Sequence, residues 1–364
     1  MFRVFVATSL FLFAASPNAD TIVRTDGKKV EGVQIVNETM KEVVYKKGRN
    51  QQTLASDRVL YVVYEKKPRL VDEAEGHLSD DDLASAIDAF DEFVEGQIER
   101  PNGRYKWAPA YAAWRSIELR QSLADLGGAR DAAVRLIENF KDSRYVPGAY
   151  LAKAGAEIDA GHTSMAVKTL DKFAGLVERN KLSKRYDLEC RLAKIRADEK
   201  RSGDARRTDL GIIVREAGGE FPTVKSRAEV MEGEVFLGEA ESTGDPRKAS
   251  ELRGKAKLVF DRIVKAKNTT NATLAGAYAG LGECLFYAGA EKDDTELLKQ
   301  ASLHFLRVVT LFKGESRYSS KSLYFAMRCF HLMQDRKRKG DMFRELKSLY
   351  PNSGWVAAAE KISD

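Results

Sequence analysis

Ionisable and nucleophilic side chains are plentiful in this chain of 364 residues, yet few stand at spacings that do chemistry. No His-Glu-x-x-His, Gly-x-Ser-x-Gly, Walker phosphate loop, Cys-x-x-Cys or calcium-loop pattern occurs. The four histidines, His77, His162, His304 and His331, are far apart, which argues against an imidazole-built metal site. Cys190, Cys284 and Cys329 each fall within an apolar helical pattern. They read as small core residues, with one long-range disulfide as the alternative. Gly280-Leu281-Gly282 lies in a helix-like run rather than after a strand, so it reads as close helix packing and not as a nucleotide loop. Asp80-Asp81-Asp82, preceded by Ser79 as an expected N-cap, reads as the acidic start of a helix rather than a cation site. Asn37-Glu38-Thr39, Asn268-Thr269-Thr270 and Asn271-Ala272-Thr273 match the glycosylation sequon, which matters only in a eukaryotic secretory pathway. Glu157 and Glu283 remain as the carboxylates a hydrolase would use. Glycoside cleavage needs two such groups about 5–10 Å apart, so helices distant in sequence would have to bring them together. No cofactor is expected.

Charge is distributed unevenly. The total is nearly balanced, 60 Lys and Arg against 54 Asp and Glu, and the formal excess of +6 does not by itself point to nucleic acid. Residues 71–100, however, hold 11 acidic residues against one basic, Arg100, and residues 311–350 hold 10 basic against four acidic. One reading is solvated helix faces. The other is an elongated body with an acidic start and a basic end, meeting a partner through Arg328, Arg336, Lys337, Arg338 and Lys339. The last four are consecutive, at an expected turn between helices.

Three segments would carry these residues. Behind Arg3, Val4 to Ala15 form an apolar run of twelve. A bilayer span takes about 20 residues, so this run fits the core of a signal peptide, residues 1–19, cleaved after Ala19. No later run approaches 18 apolar residues. The mature chain is therefore expected to be exported, periplasmic or secreted, with no transmembrane segment.

Residues 20–66 alternate with a period of two. Asp26-Gly27 is a hairpin signal, since both central positions of its turn need positive φ. Around it and after it lie Thr21–Arg24, Val30–Val36, Val43–Tyr45, Gln52–Leu54 and Val59–Tyr64. Five short strands in so few residues close most economically into a small barrel. The segment resembles the SH3-like and Sm-like barrels that begin many exported bacterial proteins.

From residue 70 to 364 the period becomes 3.6, giving a mainly α chain. An alanine followed four residues later by a large apolar residue recurs as Ala86/Phe90, Ala132/Leu136, Ala166/Leu170, Ala256/Phe260 and Ala301/Phe305, with a degenerate copy around Leu210 to Ala217. The small residue admits a neighbouring helix and the large one fills the space a turn later. Phe140–Tyr145, Phe312–Tyr318, Tyr350–Trp355 and the shorter Phe221-Pro222-Thr223 mark joints where an aromatic closes one helix and Ser or Thr caps the next. Gly161, Gly203, Gly244 and Gly340 are expected between the helices of a pair. With Ala154, Ala166 and Leu170 spaced twelve and four around Gly161, the unit 146–180 resembles the tetratricopeptide (TPR) repeat. The aromatic joints are similar to those of its envelope-associated bacterial branch.

The resemblance implies an α-solenoid behind a small β barrel, and a non-enzymatic scaffold that holds protein or peptide partners on a concave surface in the cell envelope. The alternative is an enzyme acting on cell-wall glycan or protein, or a subunit of one. A deep pocket collecting buried ionisable groups would favour the second, and a shallow groove the first.

Overall fold

The computed structural model describes residues 19–363, except 102, 199 and 268; all but the last residue of the expected signal peptide lies outside them. The described residues open with β1 (Asp20–Arg24), β2 (Lys29–Glu38), β3 (Glu42–Lys47), β4 (Asn50–Ala55) and β5 (Val59–Val63), an antiparallel sheet in the order β4-β3-β2-β1-β5. Gly27 takes φ +79° in the β1–β2 turn, as the Asp-Gly pair requires. Alternation sends Ile22, Val33, Val43, Tyr45, Val59, Val62 and Tyr64 into one small core.

Helices follow: α1 (Arg69–Ser79), α2 (Leu83–Glu99), α3 (Ala108–Ser122), α4 (Leu126–Asn139), α5 (Val146–Asp159), α6 (Thr163–Asn180), α7 (Lys184–Ala197), α8 (Gly203–Ala217), α9 (Pro222–Ser242), α10 (Pro246–Lys265), α11 (Asn271–Lys292), α12 (Thr295–Leu311), α13 (Ser316–Leu332), α14 (Arg336–Leu349) and α15 (Gly354–Ser363). Each packs on the next, and from α3 onward each odd helix also packs on the following odd one. The odd helices thus line the inside of the array and the even ones cover them. The alanine-then-large steps all lie on even helices, and every one of the ten side chains is buried. The degenerate copy is α8, where Arg206 takes the small position ahead of buried Leu210. The seventh, on α14, is Met342 ahead of buried Leu346. All three cysteines are buried and unpaired.

The turns within pairs differ from the expectation in an informative way. Gly161 has φ +77°, but Asp81, Ala124, Asp293 and Gln334 hold the same left-handed position without being glycine. After each, the next residue donates its backbone N–H to a carbonyl five residues back: Asp82 to His77, Asp125 to Arg120, His162 to Glu157, Asp294 to Gly289, Asp335 to Phe330. That is the longer bond of a Schellman C-cap. The four aspartates then cap the following helix, and Asp82, not Ser79, caps α2. Gly203 and Gly340 are not C-caps, since Gly203 opens α8 behind Ser202 and Gly340 lies inside α14.

The array curls until its parts meet. Ser316, at the start of α13, donates its hydroxyl to the carbonyl of Gln121 at the end of α3. Ala124 packs in one cluster with Val356 and Ala359 of α15. An elongated body with widely separated ends is therefore corrected to a closed curl.

The sheet covers one rim of that curl, where odd helices begin. Tyr64 stacks on Trp107 with ring centres 3.4 Å apart and planes 3° from parallel. Met40 N–H donates to the Asp142 carbonyl at 2.9 Å, and Arg185 donates to the Asp57 carbonyl at 3.1 Å. Arg144 Nε lies 2.8 Å from Glu38 Oε1, with both side chains 5% exposed. This pair meets by charge, without the alignment of a hydrogen bond.

A charged cleft inside the helical curl

The inner faces of the odd helices enclose a cleft of about 620 Å³. Acid–base pairs between inner helices line it. Arg317 of α13 meets Glu234 of α9 at 3.0 Å, and Lys321, one turn further along α13, meets Glu283 of α11 at 2.8 Å. Arg196 of α7 pairs with Asp159 of α5. The helices approach closely because α11 carries small residues inward: a Cβ on Gly276 would stand 2.8 Å from Val230 and 2.9 Å from Tyr318.

Burial and charge act in opposite senses on these groups. Burial pushes the Glu283 carboxyl up, and Lys321 only partly offsets it. Burial also pushes Glu234 upward, but Arg317, Lys321 and Arg196 outweigh it and hold that carboxyl below its ordinary value. For Lys321, Glu283 overcomes burial and raises the ammonium. One cleft thus holds two carboxylates with shifts of opposite sign, each already facing a cation.

Glu157 and Glu283 are not brought together. Glu157 is buried between α5 and α6, where it accepts from Lys153 Nζ at 2.5 Å and from Thr169 Oγ1 at 2.8 Å. Glu283 lies in the cleft.

The basic residues singled out in sequence divide into two places. Arg336, Lys337, Arg338 and Lys339 form the first turn of α14. The first three are exposed, with Arg338 3.5 Å from Asp335. Arg328 stands apart on α13, its guanidinium 4.5 Å above the Phe286 ring. It lines a second hollow of about 640 Å³, which shares Glu241 and Trp355 with the cleft. Arg317 and Lys321, counted in the basic segment, turn inward to Glu234 and Glu283 and do not form an outer patch. On the acidic side, Asp91 is held by Arg120 at 2.7 Å and by Arg135 at 3.6 Å. The charge contrast is thus partly consumed inside the fold.

Sequence reading missed Arg196, Glu234 and Arg317 as cleft residues. They occupy three helices and share no spacing. The one available signal was the density of small residues, Gly276, Ala277, Ala279, Gly280 and Gly282, which marks α11 as an inner helix.

No protein-family model and no curated protein matches the sequence. Solved structures do resemble it. The apo form of RapI is 11% identical, with 80% of this chain and 97% of that chain aligned at a TM-score of 0.50. A tetratricopeptide repeat protein from Parabacteroides merdae is 12% identical over 81% of this chain and 97% of that one, with a TM-score of 0.42. The C-terminal part of a TPR repeat-containing protein from Cytophaga hutchinsonii is 13% identical over 79% and 98%, with a TM-score of 0.34. The chain is an α-solenoid of TPR-like helix pairs preceded by a small five-stranded antiparallel β unit.

Proposed function

We propose that the protein is an exported, non-enzymatic scaffold of the bacterial cell envelope that holds a segment of a protein partner in the cleft between its inner helices. The observation that carries this is the cleft itself, a hollow of about 620 Å³ lined by Arg196, Glu234, Glu283, Arg317 and Lys321. Fixed charges of both signs suit an extended polar segment, with recognition spread over several helices. The twelve-residue apolar run behind Arg3 supports export, with cleavage after Ala19. Helix–turn–helix pairing and the aromatic joints support an envelope-associated TPR-like scaffold, and the sheet at 20–66 is the SH3-like element that covers its rim. Exposed Arg336, Lys337 and Arg338, with Lys339, would act on the rate of encounter more than on affinity, and salt would weaken them.

The test uses two glycines at which a new side chain meets open space. Gly238 lines the cleft and Gly254 lies exposed on α10, and a Cβ on either has no neighbour within 4 Å. Gly238→Trp fills the cleft, whereas Gly254→Trp alters only the outer layer. A partner recovered from envelope fractions with the wild-type chain should be lost with the first variant and kept with the second. Retention by Gly238→Trp would reject the cleft as the binding surface. N-terminal sequencing of the envelope form should begin at Asp20.

One observation favours a hydrolytic reading: the cleft gathers ionisable groups, the buried Glu283 among them, as the enzyme alternative requires, and Glu283 and Glu234 shift there in opposite senses. Clearing of purified cell-wall sacculi by the wild-type chain, abolished by Glu283→Gln, would replace the scaffold with an enzyme.

A further inference from the structure

The hollow around Arg328 has more donors than acceptors. It opens beside the α9–α10 turn, and its walls are Tyr287 of α11, Tyr324, Phe325 and Arg328 of α13, Trp355 of α15 and Arg253 of α10. Its two carboxylates are engaged: Glu291 pairs with Arg253, and Glu241 accepts from the Tyr287 hydroxyl at 2.7 Å. The cations are less fully satisfied. Arg253 Nε is buried without a hydrogen-bond partner. Among the described residues no carboxylate lies within ion-pair distance of Arg328; its guanidinium is held by aromatic rings alone, 4.5 Å from Phe286, 5.4 Å from Phe325 and 5.7 Å from Tyr324. Rings that hold the flat face of a guanidinium leave its N–H edges free, and those edges match a carboxylate with two parallel hydrogen bonds.

Resting on the reading of the inner face as a partner-binding surface, we infer that Arg328 is an anchor for a peptide carboxylate, with the neighbouring apolar side chain of that peptide laid on Tyr324 and Trp355. Three observations select this occupant. Arg328 is the hollow's uncommitted cation, so the site takes a single negative charge. Glu241 and Glu291 stand on the same walls and would repel a phosphate dianion more than a carboxylate. The remaining walls are aromatic, which suits a bulky apolar residue next to the acid. The hollow shares Glu241 and Trp355 with the cleft, so one extended segment reaches both.

The probe is a pair of random dodecapeptide libraries, one with free C-termini and one blocked by fusion, selected on the full wild-type chain. Enriched peptides should carry Asp or Glu beside an aromatic residue or Leu in both libraries if the anchor takes a side-chain carboxylate. Enrichment confined to the free C-termini would assign it to the terminal carboxylate. Affinity of the enriched peptides should fall about tenfold or more in Arg328→Gln, the loss expected for a charge-assisted hydrogen bond. Arg328→Lys, which keeps the charge and loses the fork, should bind less tightly than wild type, and this provides the reading if the Gln variant does not fold. Peptides enriched from the blocked library without an acidic residue, or peptides of either library bound equally by wild type and both Arg328 variants, would overturn the inference. If such peptides are still lost in Gly238→Trp, the cleft reading survives alone. The absence of any binder from both libraries would reject both readings.

Discussion

The ring of Phe260 stands where a side chain on Gly280 would have to be: a Cβ there would lie 2.2 Å from Cε2 and 2.3 Å from Cζ. Gly233, on α9, faces the same ring, with its Cβ position 2.5 Å from Cε1. One outer-helix aromatic therefore wedges between two inner helices, and both must offer glycine. Gly280→Ala should destabilise the chain by about 1–3 kcal/mol through overpacking. Gly254→Ala, exposed in the middle of α10 with no neighbour to meet, should instead stabilise by about 0.5–1 kcal/mol through helix propensity. Denaturant melts of the two variants check the pair. Equal effects would mean that the Phe260 wedge does not set the helix spacing.

Ala166 is fully buried against Ile158 of α5 and Ala197 of α7. Ala166→Leu adds three carbons where three helices meet, and should cost about 1–3 kcal/mol. Val167, the next residue, is 38% exposed, so Val167→Leu serves as the control and should change stability little. A normal melting temperature for Ala166→Leu would contradict the packing described here.

These two positions show what the sequence could and could not reveal. Ala166 and Phe260 were legible because burial on one helix face repeats every three or four residues, and the alanine-then-large step survives even where its period drifts. The five strands were legible because alternation and Asp-Gly report directly on local backbone. The turn before α14 is not marked by Gly340, because Gln334 takes the left-handed position that glycine usually signals, and Gly203 is the first residue of α8 rather than a cap of α7. The cleft was illegible for a different reason. Arg317 finds Glu234, and Arg196 finds Asp159, only once the array has curled, and curvature is the sum of many small packing offsets. Arg328 was singled out for its charge, yet its structural distinction is the absence of an acidic partner, which no local pattern records.

Removing Arg144 should expose a dependence between sheet and helices. The change of period divides the sequence at 66–70, yet a buried ion pair, the Tyr64–Trp107 stack and the Met40–Asp142 backbone bond join the two parts in the structure. Arg144→Ala leaves Glu38 charged and buried without its cation, a loss of about 3–5 kcal/mol. The paired change Glu38→Gln with Arg144→Met removes both charges and should recover most of it. A fragment of 70–364 uncovers Trp107 and Arg144 and should unfold at lower denaturant than the full chain. Two separate transitions in the intact chain, with the helical one unaltered by Arg144→Ala, would show that the interface does not couple the parts.

His304 gives the chain a measurable acid sensitivity. Its ring lies 5.9 Å from that of Tyr278, in a stacked arrangement. Burial lowers its pKa below the ordinary histidine value, and Arg307 and Lys257 push the same way against Asp261. In the unfolded chain the imidazole titrates near pH 6.5. Above that pH both states are neutral, and His304 adds no pH dependence. Below it the unfolded chain takes up the proton first, so folding stability falls until the pH passes below the depressed folded value. His304→Phe keeps the stack on Tyr278 and removes the proton. Thermal melts from pH 7.5 to 5 should therefore show a shallower loss of stability in the variant, with the two curves parallel above pH 7. Parallel curves throughout would mean that the folded imidazole is as readily protonated as the unfolded one, and a steeper loss in the variant that it is more readily protonated.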